Sequence, residues 1–243
     1  MNPVHAANIR MVSAIVPARD ESRTIGNVLD ALLANELVDD VIVVDDGSTD
    51  ATAAIARSRG ATVISLPRSR GKAYALARGV RAARHEILFF GDADLTGLTP
   101  ATVTRIVTSV ISGDYGMYVG IRGRKLYWIN RLLHFTPVLG GERALERALW
   151  NCVPHTYKKN FQIEIALNFF AKQTGRRMGF TVVQGLGQLI KEKKRGLWLG
   201  LWQRMLMIRD IILVSGRLYL VLRPQMVLRR AQGRPASTAN APN

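Results

Sequence analysis

The sequence predicts an α/β domain: a mostly parallel sheet with helices packed on both faces. Short runs rich in Val and Ile recur through the N-terminal half, apolar enough to be buried on both sides. Segments with helical apolar spacing separate them. Acidic and polar clusters directly follow the apolar runs, at the carboxyl ends of the strands, the edge where open α/β sheets bind ligands.

In chain order, Val12-Ser13-Ala14-Ile15-Val16 reads as a buried strand stopped by Pro17. Thr24 to Asn35 carries Ile25, Val28, Leu29, Leu32 and Leu33 at helical spacing. Val41 to Val44 is a second strand, Ala51 to Arg59 a second helix, Ala61 to Leu66 a third strand and Lys72 to Arg84 a third helix. Glu86 to Phe90 is a fourth strand that runs into Gly91-Asp92-Ala93-Asp94. A helix is expected from Thr99 to Gly113, then a Gly- and Arg-containing mixed segment to Pro154, a helix from Phe161 to Gln173 and a last strand from Phe180 to Val183. No internal repeat is evident.

Composition bounds the class. With 243 residues, 48% hydrophobic and 21% charged, the chain buries a core and suits one domain plus an appendage. The single cysteine, Cys152, excludes an intrachain disulfide framework and fits a reducing cytoplasm; no Cys/His cluster has zinc-site spacing. The net charge of +16 implies an anionic partner: nucleic acid, acidic lipid headgroups or a phosphorylated ligand. The first residues lack the apolar run of a secretory signal, and no stretch approaches the roughly 20 apolar residues that span a bilayer. A membrane, if met, is met at its surface.

The tail differs in character. Lys191, Lys193, Lys194 and Arg195 precede an apolar stretch from Leu197 to Leu222, in which Gln203, Asp210 and Arg217 recur at seven-residue spacing. A basic run beside an amphipathic helix with Trp198 and Trp202 fits an interfacial helix on an anionic membrane; packing on the domain or on a second subunit is the alternative, so a homo-oligomer stays open. Gln232 to Asn243 has a disordered composition. The expected organisation is a domain over 1–190, a basic amphipathic helical segment over 191–224 and a disordered tail over 225–243.

Three strand ends are polar: Arg19-Asp20-Glu21, Asp45-Asp46-Gly47-Ser48 and Asp92-Ala93-Asp94. Helix capping explains part of this, with Ser48, Thr49 and Asp50 the cap candidates, but capping does not call for consecutive carboxylates at several strand ends. Asp92 and Asp94 offer hard oxygen ligands to Mg2+ or Mn2+, and such an ion neutralises a diphosphate leaving group. Glu21 and Asp46 can accept hydrogen bonds from a base and ribose. Lys72, after Arg68-Ser69-Arg70-Gly71, can approach phosphate oxygens or simply be a solvated lysine at a helix start.

Taken as an ordered set, Ile15-Val16-Pro17-Ala18-Arg19-Asp20-Glu21, Val43 to Asp50, Arg70-Gly71-Lys72 and Gly91-Asp92-Ala93-Asp94 resemble the signatures of family 2 glycosyltransferases. The resemblance covers about residues 11 to 125 and implies a GT-A fold, a nucleoside-diphosphate sugar donor, a divalent metal and inversion at the anomeric carbon. It puts Pro17, Arg19, Glu21, Val44 and Asp46 around the nucleoside, and Asp92, Ala93 and Asp94 at the metal and diphosphate. Arg122, in Gly120-Ile121-Arg122, resembles the arginine that polyprenyl-phosphate sugar synthases place near phosphate. Within 1–190 the nucleotide-sugar half is then about 11–125 and the acceptor half about 126–190. Gly140 to Leu145 is similar to an acceptor-side segment of many members, and Phe161 to Ile165 to a later helix start bearing an acid. The chain departs from those synthases in having no aspartate just before Gly140, no transmembrane helices in its tail, and Thr96 after the Asp-x-Asp.

The acceptor expected is a polyprenyl phosphate or other lipid-linked molecule, reached from the inner face of the cell membrane. A phosphate acceptor needs no general base, and Arg122, Arg124 and Arg143 would position it. A hydroxyl acceptor needs one, and Glu164 is the candidate, its alternative role being an ordinary carboxylate in a first helical turn. A nucleic-acid-binding module is disfavoured by 7% aromatic content and by acidic strand ends. A nucleotidyltransferase is disfavoured because Pro17 to Glu21 stands where a Gly-rich basic loop would be needed.

Overall fold

The computed structural model describes residues 11–122, 141–159, 162–188, 213–224 and 226. Strands β1 (Val12–Ala18), β2 (Val38–Asp45), β3 (Thr62–Ser65) and β4 (Ile87–Phe90) alternate with helices α1 (Ile25–Leu33), α2 (Thr52–Ser58) and α3 (Lys72–Ala82). Then come β5 (Leu95–Thr96), α4 (Pro100–Ile111), β6 (Met117–Arg122), β7 (Glu142–Glu146), α5 (Arg147–Cys152), α6 (Gln162–Gln173), β8 (Met178–Val183) and β9 (Gly187–Gln188). Seven strands form one sheet in the order β3-β2-β1-β4-β7-β6-β8. Pairing is parallel except that β7 runs antiparallel to both β4 and β6. The expected mostly parallel, helix-flanked fold is therefore present.

Alternation along β1 sorts its side chains to two cores. Val12, Ala14 and Val16 pack with Leu29 and Leu32 of α1 and Val107 of α4, whereas Ile15 packs with Leu76 of α3 and Phe169 of α6. Each fully buried Val, Leu, Ile or Phe side chain among these contributes about 1.5–3 kcal/mol. Thr99 caps α4 by accepting from the Thr102 amide at 3.2 Å, with Pro100 as the first helical residue.

Several expectations are corrected. Pro17 does not stop β1, which continues to Ala18 with Pro17 opposite Val44. The Ile15 carbonyl accepts from Gly91, on the β4 side, and the Ala18 carbonyl accepts from Asp46, on the β2 side. Pro17 therefore shares the orientation of Ile15 and turns its nitrogen toward β4, whose pairing with β1 already ends at Ile15. No ladder bond is lost. The mixed segment before Pro154 contains β6, β7 and α5, and Phe180 to Val183 is the later part of β8, followed by β9.

Two devices fix α3. The Arg147 guanidinium donates to the carbonyls of Val80, Ala83 and His85 at 2.6–3.2 Å, tying the end of α3 to α5. Gly79 lets α3 lie against β1: a Cβ there would overlap Ile15 Cγ2 and stand 3.3 Å from Val44 Cγ2. Alanine normally favours a helix over glycine by about 1 kcal/mol. Here Gly79→Ala is expected to destabilise the chain by about 1–3 kcal/mol through overpacking, seen as a lower urea midpoint with unchanged slope.

Candidate functional site

The carboxyl ends of β1, β2 and β4 form one edge, and because β7 is antiparallel its first residues arrive at that same edge. The loops after β1 and β2 are laced together. Asp20, the one described non-glycine residue at positive φ, accepts from the Thr49 amide, while the Asp20 and Glu21 amides donate to Ser48 and Thr52 hydroxyls. The Asp50 carboxylate accepts from Ser22 and Thr52 amides and the Thr52 hydroxyl. Desolvation opposes its charge, but these hydrogen bonds win and hold its pKa down at about 2. Asp50 thus accepts from Thr52, the first residue of α2, although the N-cap position itself is Ala51, which makes no side-chain cap.

Asp46 is buried, and both its oxygens are engaged: it accepts from Ser69 Oγ at 2.7 Å and from the Arg70 and Gly71 amides at 2.7 and 2.9 Å. This binds the loop before α3 to the end of β2. Gly47 permits the approach, since a Cβ would stand 2.9 Å from the backbone of Arg68 and Ser69. The next residue, Lys72, is thereby delivered to the end of β4.

There its ammonium lies 2.6 Å from Asp92 Oδ1 and 3.4 Å from Glu164 Oε1. Arg122, the last residue of β6, reaches the other Asp92 oxygen at 3.3 Å and Glu142 Oε1 at 2.7 Å. Arg143, on β7 and almost wholly buried, faces Glu164 Oε2 at 3.7 Å. Asp94 is near enough to Arg122 to favour its charge. Four carboxylates thus face three cations in one cluster.

The electrostatics follow. Burial pushes the Asp92 carboxyl up, but Lys72 and then Arg122 outweigh it, and the pKa is lowered. Lys72 is the mirror case: burial lowers it, Asp92 and Glu164 raise it further, and the ammonium is held charged. Arg122 is likewise raised, chiefly by Glu142 working against burial. Glu142 is different. It is fully buried, one oxygen makes no hydrogen bond, and burial together with the Asp92 charge raises its pKa.

Lys72, Asp92, Arg122, Arg143 and Glu164 are thus brought together from five separate elements. Arg124 lies outside the described residues, as do Gly140, Phe161, the basic run from Lys191 to Arg195, Trp198, Trp202 and Gln232 to Asn243. Val44 and Ala93 turn their side chains into the core, so only their backbones can face a ligand. Pro17, Arg19 and Glu21 stand at the end of β1, Arg19 exposed. Sequence reasoning missed Glu142 as a site residue; its place directly before Arg143, in the segment Gly140 to Leu145, was the available signal.

Among the described residues no three His, Cys, Asp or Glu side chains converge as a metal cage. A cage is not what Mg2+ or Mn2+ requires beside a diphosphate, where one or two carboxylates with waters and phosphate oxygens suffice. Asp92 already holds a cation at 2.6 Å, and Asp94 adds hard oxygens two residues on, so this pair fits such an ion.

The model of Glycosyl transferase family 2 matches residues 13–171. Glucosyl-3-phosphoglycerate synthase of Mycolicibacterium paratuberculosis is 40% identical over 114 residues, which are 43% of this chain and 35% of that enzyme. The 4,4'-diaponeurosporenoate glycosyltransferase of Staphylococcus aureus is 36% identical over 116 residues, 45% of this chain and 31% of that enzyme. The matches thus span about a third of those relatives' length. The fold is similar to a crystal structure of glucosyl-3-phosphoglycerate synthase from Mycobacterium tuberculosis with Mn2+, UDP-glucose and phosphoglyceric acid, at TM-score 0.65 and 24% identity, covering 94% of this chain and 81% of that one. Another structure of that synthase aligns at TM-score 0.62 and 29% identity over 72% of each chain.

Gly141 is where the cluster is tightest: a Cβ there would stand 2.7 Å from Asp92 Cγ and closer still to Oδ2. Gly141→Ala should therefore turn Asp92 away from its two cations. Calorimetric titration is expected to show nucleoside diphosphate with Mn2+ binding about tenfold more weakly or worse, with the far-UV spectrum preserved.

Proposed function

This chain belongs to glycosyl transferase family 2, and on that premise we propose that it moves a sugar from a nucleoside-diphosphate sugar to an anionic acceptor. The observation that carries the reading is the Asp92 carboxylate, held between Lys72 and Arg122 at the carboxyl edge of β4. Anomeric C–O cleavage puts negative charge on the departing diphosphate, and this edge collects the groups that stabilise it. Asp92 and Asp94 would hold Mg2+ or Mn2+, which supplies charge neutralisation at the diphosphate. Lys72 and Arg122 are charged donors beside it, Arg122 already oriented by Glu142 at 2.7 Å. The loops bearing Pro17, Arg19, Glu21 and Asp46 would receive the nucleoside, Asp46 by anchoring the wall formed by Ser69 to Gly71.

On the acceptor side, Arg143 and Arg122 suit a phosphate or carboxylate. We infer a lipid-linked acceptor, the polyprenyl-phosphate reading, approached at a membrane surface. The helical segment 213–224 packs on the domain through Val214, Leu218 and Tyr219, the last against Phe169, as the alternative reading expects; its outer side leaves Leu213, Leu220 and Val221 exposed beside Arg217 and Arg223, which supports a surface that could meet a membrane. Among the described residues no helix is long and apolar enough to cross a membrane. A small soluble acid is the second reading, favoured by the likeness to an enzyme named for phosphoglycerate. For a hydroxyl acceptor Glu164, balanced between Lys72 and Arg143, is the base, and single displacement with that base inverts the anomeric centre.

Incubation with UDP-, GDP- and dTDP-sugars plus Mn2+ or Mg2+, offered polyprenyl phosphate vesicles or phosphoglycerate, should release one nucleoside diphosphate and form a glycosylated product. The anomeric proton coupling of that product reads inversion against retention. Asp94→Ala should lose at least about a hundredfold in turnover while keeping its melting temperature within a few degrees. Full activity in that variant, or pyrophosphate release from a nucleoside triphosphate instead, would remove the reading.

A further inference from the structure

Lys72 occupies the place where a divalent ion would be expected to stand. Its ammonium lies 2.6 Å from Asp92 Oδ1. A metal ion bound to that oxygen at about 2.1 Å would lie in direct repulsion with the ammonium. A metal ion and an ammonium on the same carboxylate repel each other, so each weakens the other's hold on Asp92. We propose that Lys72 is a stand-in cation on Asp92, so that the divalent ion binds tightly only together with a diphosphate that draws Lys72 away. The inference rests on the transferase reading and adds an order of binding to it.

Lys72 alone in the cluster is built to move. Its backbone is fixed, because the preceding Ser69, Arg70 and Gly71 are hydrogen-bonded to Asp46. Its ammonium sits on a flexible four-carbon stem, its side chain is 32% exposed, and Glu164 at 3.4 Å offers a second resting place. Arg122 has no such freedom, since Glu142 holds it at 2.7 Å from a fully buried position. Charge balance points the same way. Four carboxylates and three cations leave the cluster short of positive charge if Lys72 departs alone. Arrival of a divalent ion and a diphosphate together gives Asp92 a new cation and Lys72 a new anion in one exchange.

The test is Mn2+ binding to the full chain, read by the loss of the free Mn2+ electron paramagnetic resonance signal, alone and with UDP, GDP or dTDP. In the wild type, Mn2+ alone is expected to bind at least about tenfold more weakly than with the nucleotide the enzyme accepts. Lys72→Met should bind one Mn2+ without nucleotide about tenfold more tightly than wild type, and Lys72→Met/Asp92→Asn should lose that gain. Lys72→Arg, which keeps a cation at the position, should behave as wild type. Lys72→Gln gives the same readout as Lys72→Met should the Met variant fail to fold. If the neutral variants bind Mn2+ alone no more tightly than wild type, while wild type still takes up nucleotide-dependent Mn2+, the stand-in role is wrong and the transferase reading stands. If wild type takes up no Mn2+ with any of the three nucleotides, the metal role of Asp92 falls and the stand-in falls with it.

Discussion

The Asp92 carboxylate, shared by Lys72 and Arg122, is the interaction on which the site depends. Taking charges out of water is costly, and a partly buried pair is favourable only when its geometry is close and its remaining oxygens are satisfied. Both Asp92 oxygens have a cation here, and each cation has a second carboxylate behind it, Glu164 for Lys72 and Glu142 for Arg122. The result is a chain of alternating charge that links α3, the turn after β4, β6, β7 and α6. Removing one member leaves a neighbour uncompensated, a loss of about 3–5 kcal/mol where the pair is truly buried. That penalty keeps the groups pre-aimed.

The rest of the fold can be understood as holding that chain of charge in place. Parallel strands end together, so β1, β2 and β4 present their following loops along one edge. The antiparallel β7 begins where they end, and this reversal brings Gly141, Glu142 and Arg143 against Asp92 and Glu164. Asp46 fixes the approach to α3 and Arg147 fixes its exit, so the position of Lys72 is set from both ends of the helix. The half made of β1 to β4 with α3 and the half made of β6, β7 and α6 meet at one carboxylate.

Much of the first half was legible in the sequence because its signals are local. Val41 to Val44 is apolar on both faces, Thr24 to Asn35 has helical spacing, and the acidic residues sit where buried strands must end. Pro17 misled because the cost of a missing N–H depends on whether a neighbour is there to receive it, and β4 has already ended. Glu142 to Glu146 was harder for a different reason. Its Glu-Arg-Ala-Leu-Glu composition favours a helix, and only pairing with β4 and β6 makes it a strand. Asp92, Lys72, Arg122, Arg143 and Glu164 were nominated individually; their convergence, and the buried Glu142 behind Arg122, come from that nonlocal pairing. The Asp46 carboxylate reads as a ligand group from its place at a strand end; that its oxygens also accept from Ser69, Arg70 and Gly71 is a contact that sequence spacing does not reveal.

The most direct measurement is a crystal structure of the chain with Mn2+ and its preferred nucleoside diphosphate, using the anomalous signal of manganese. The account predicts one peak beyond the carboxyl end of β4, within bonding distance of an Asp92 or Asp94 oxygen and of a diphosphate oxygen, with the nucleoside over the loops after β1 and β2. A manganese peak or nucleotide bound elsewhere, with Asp92 still clasped by Lys72 and Arg122, would contradict it.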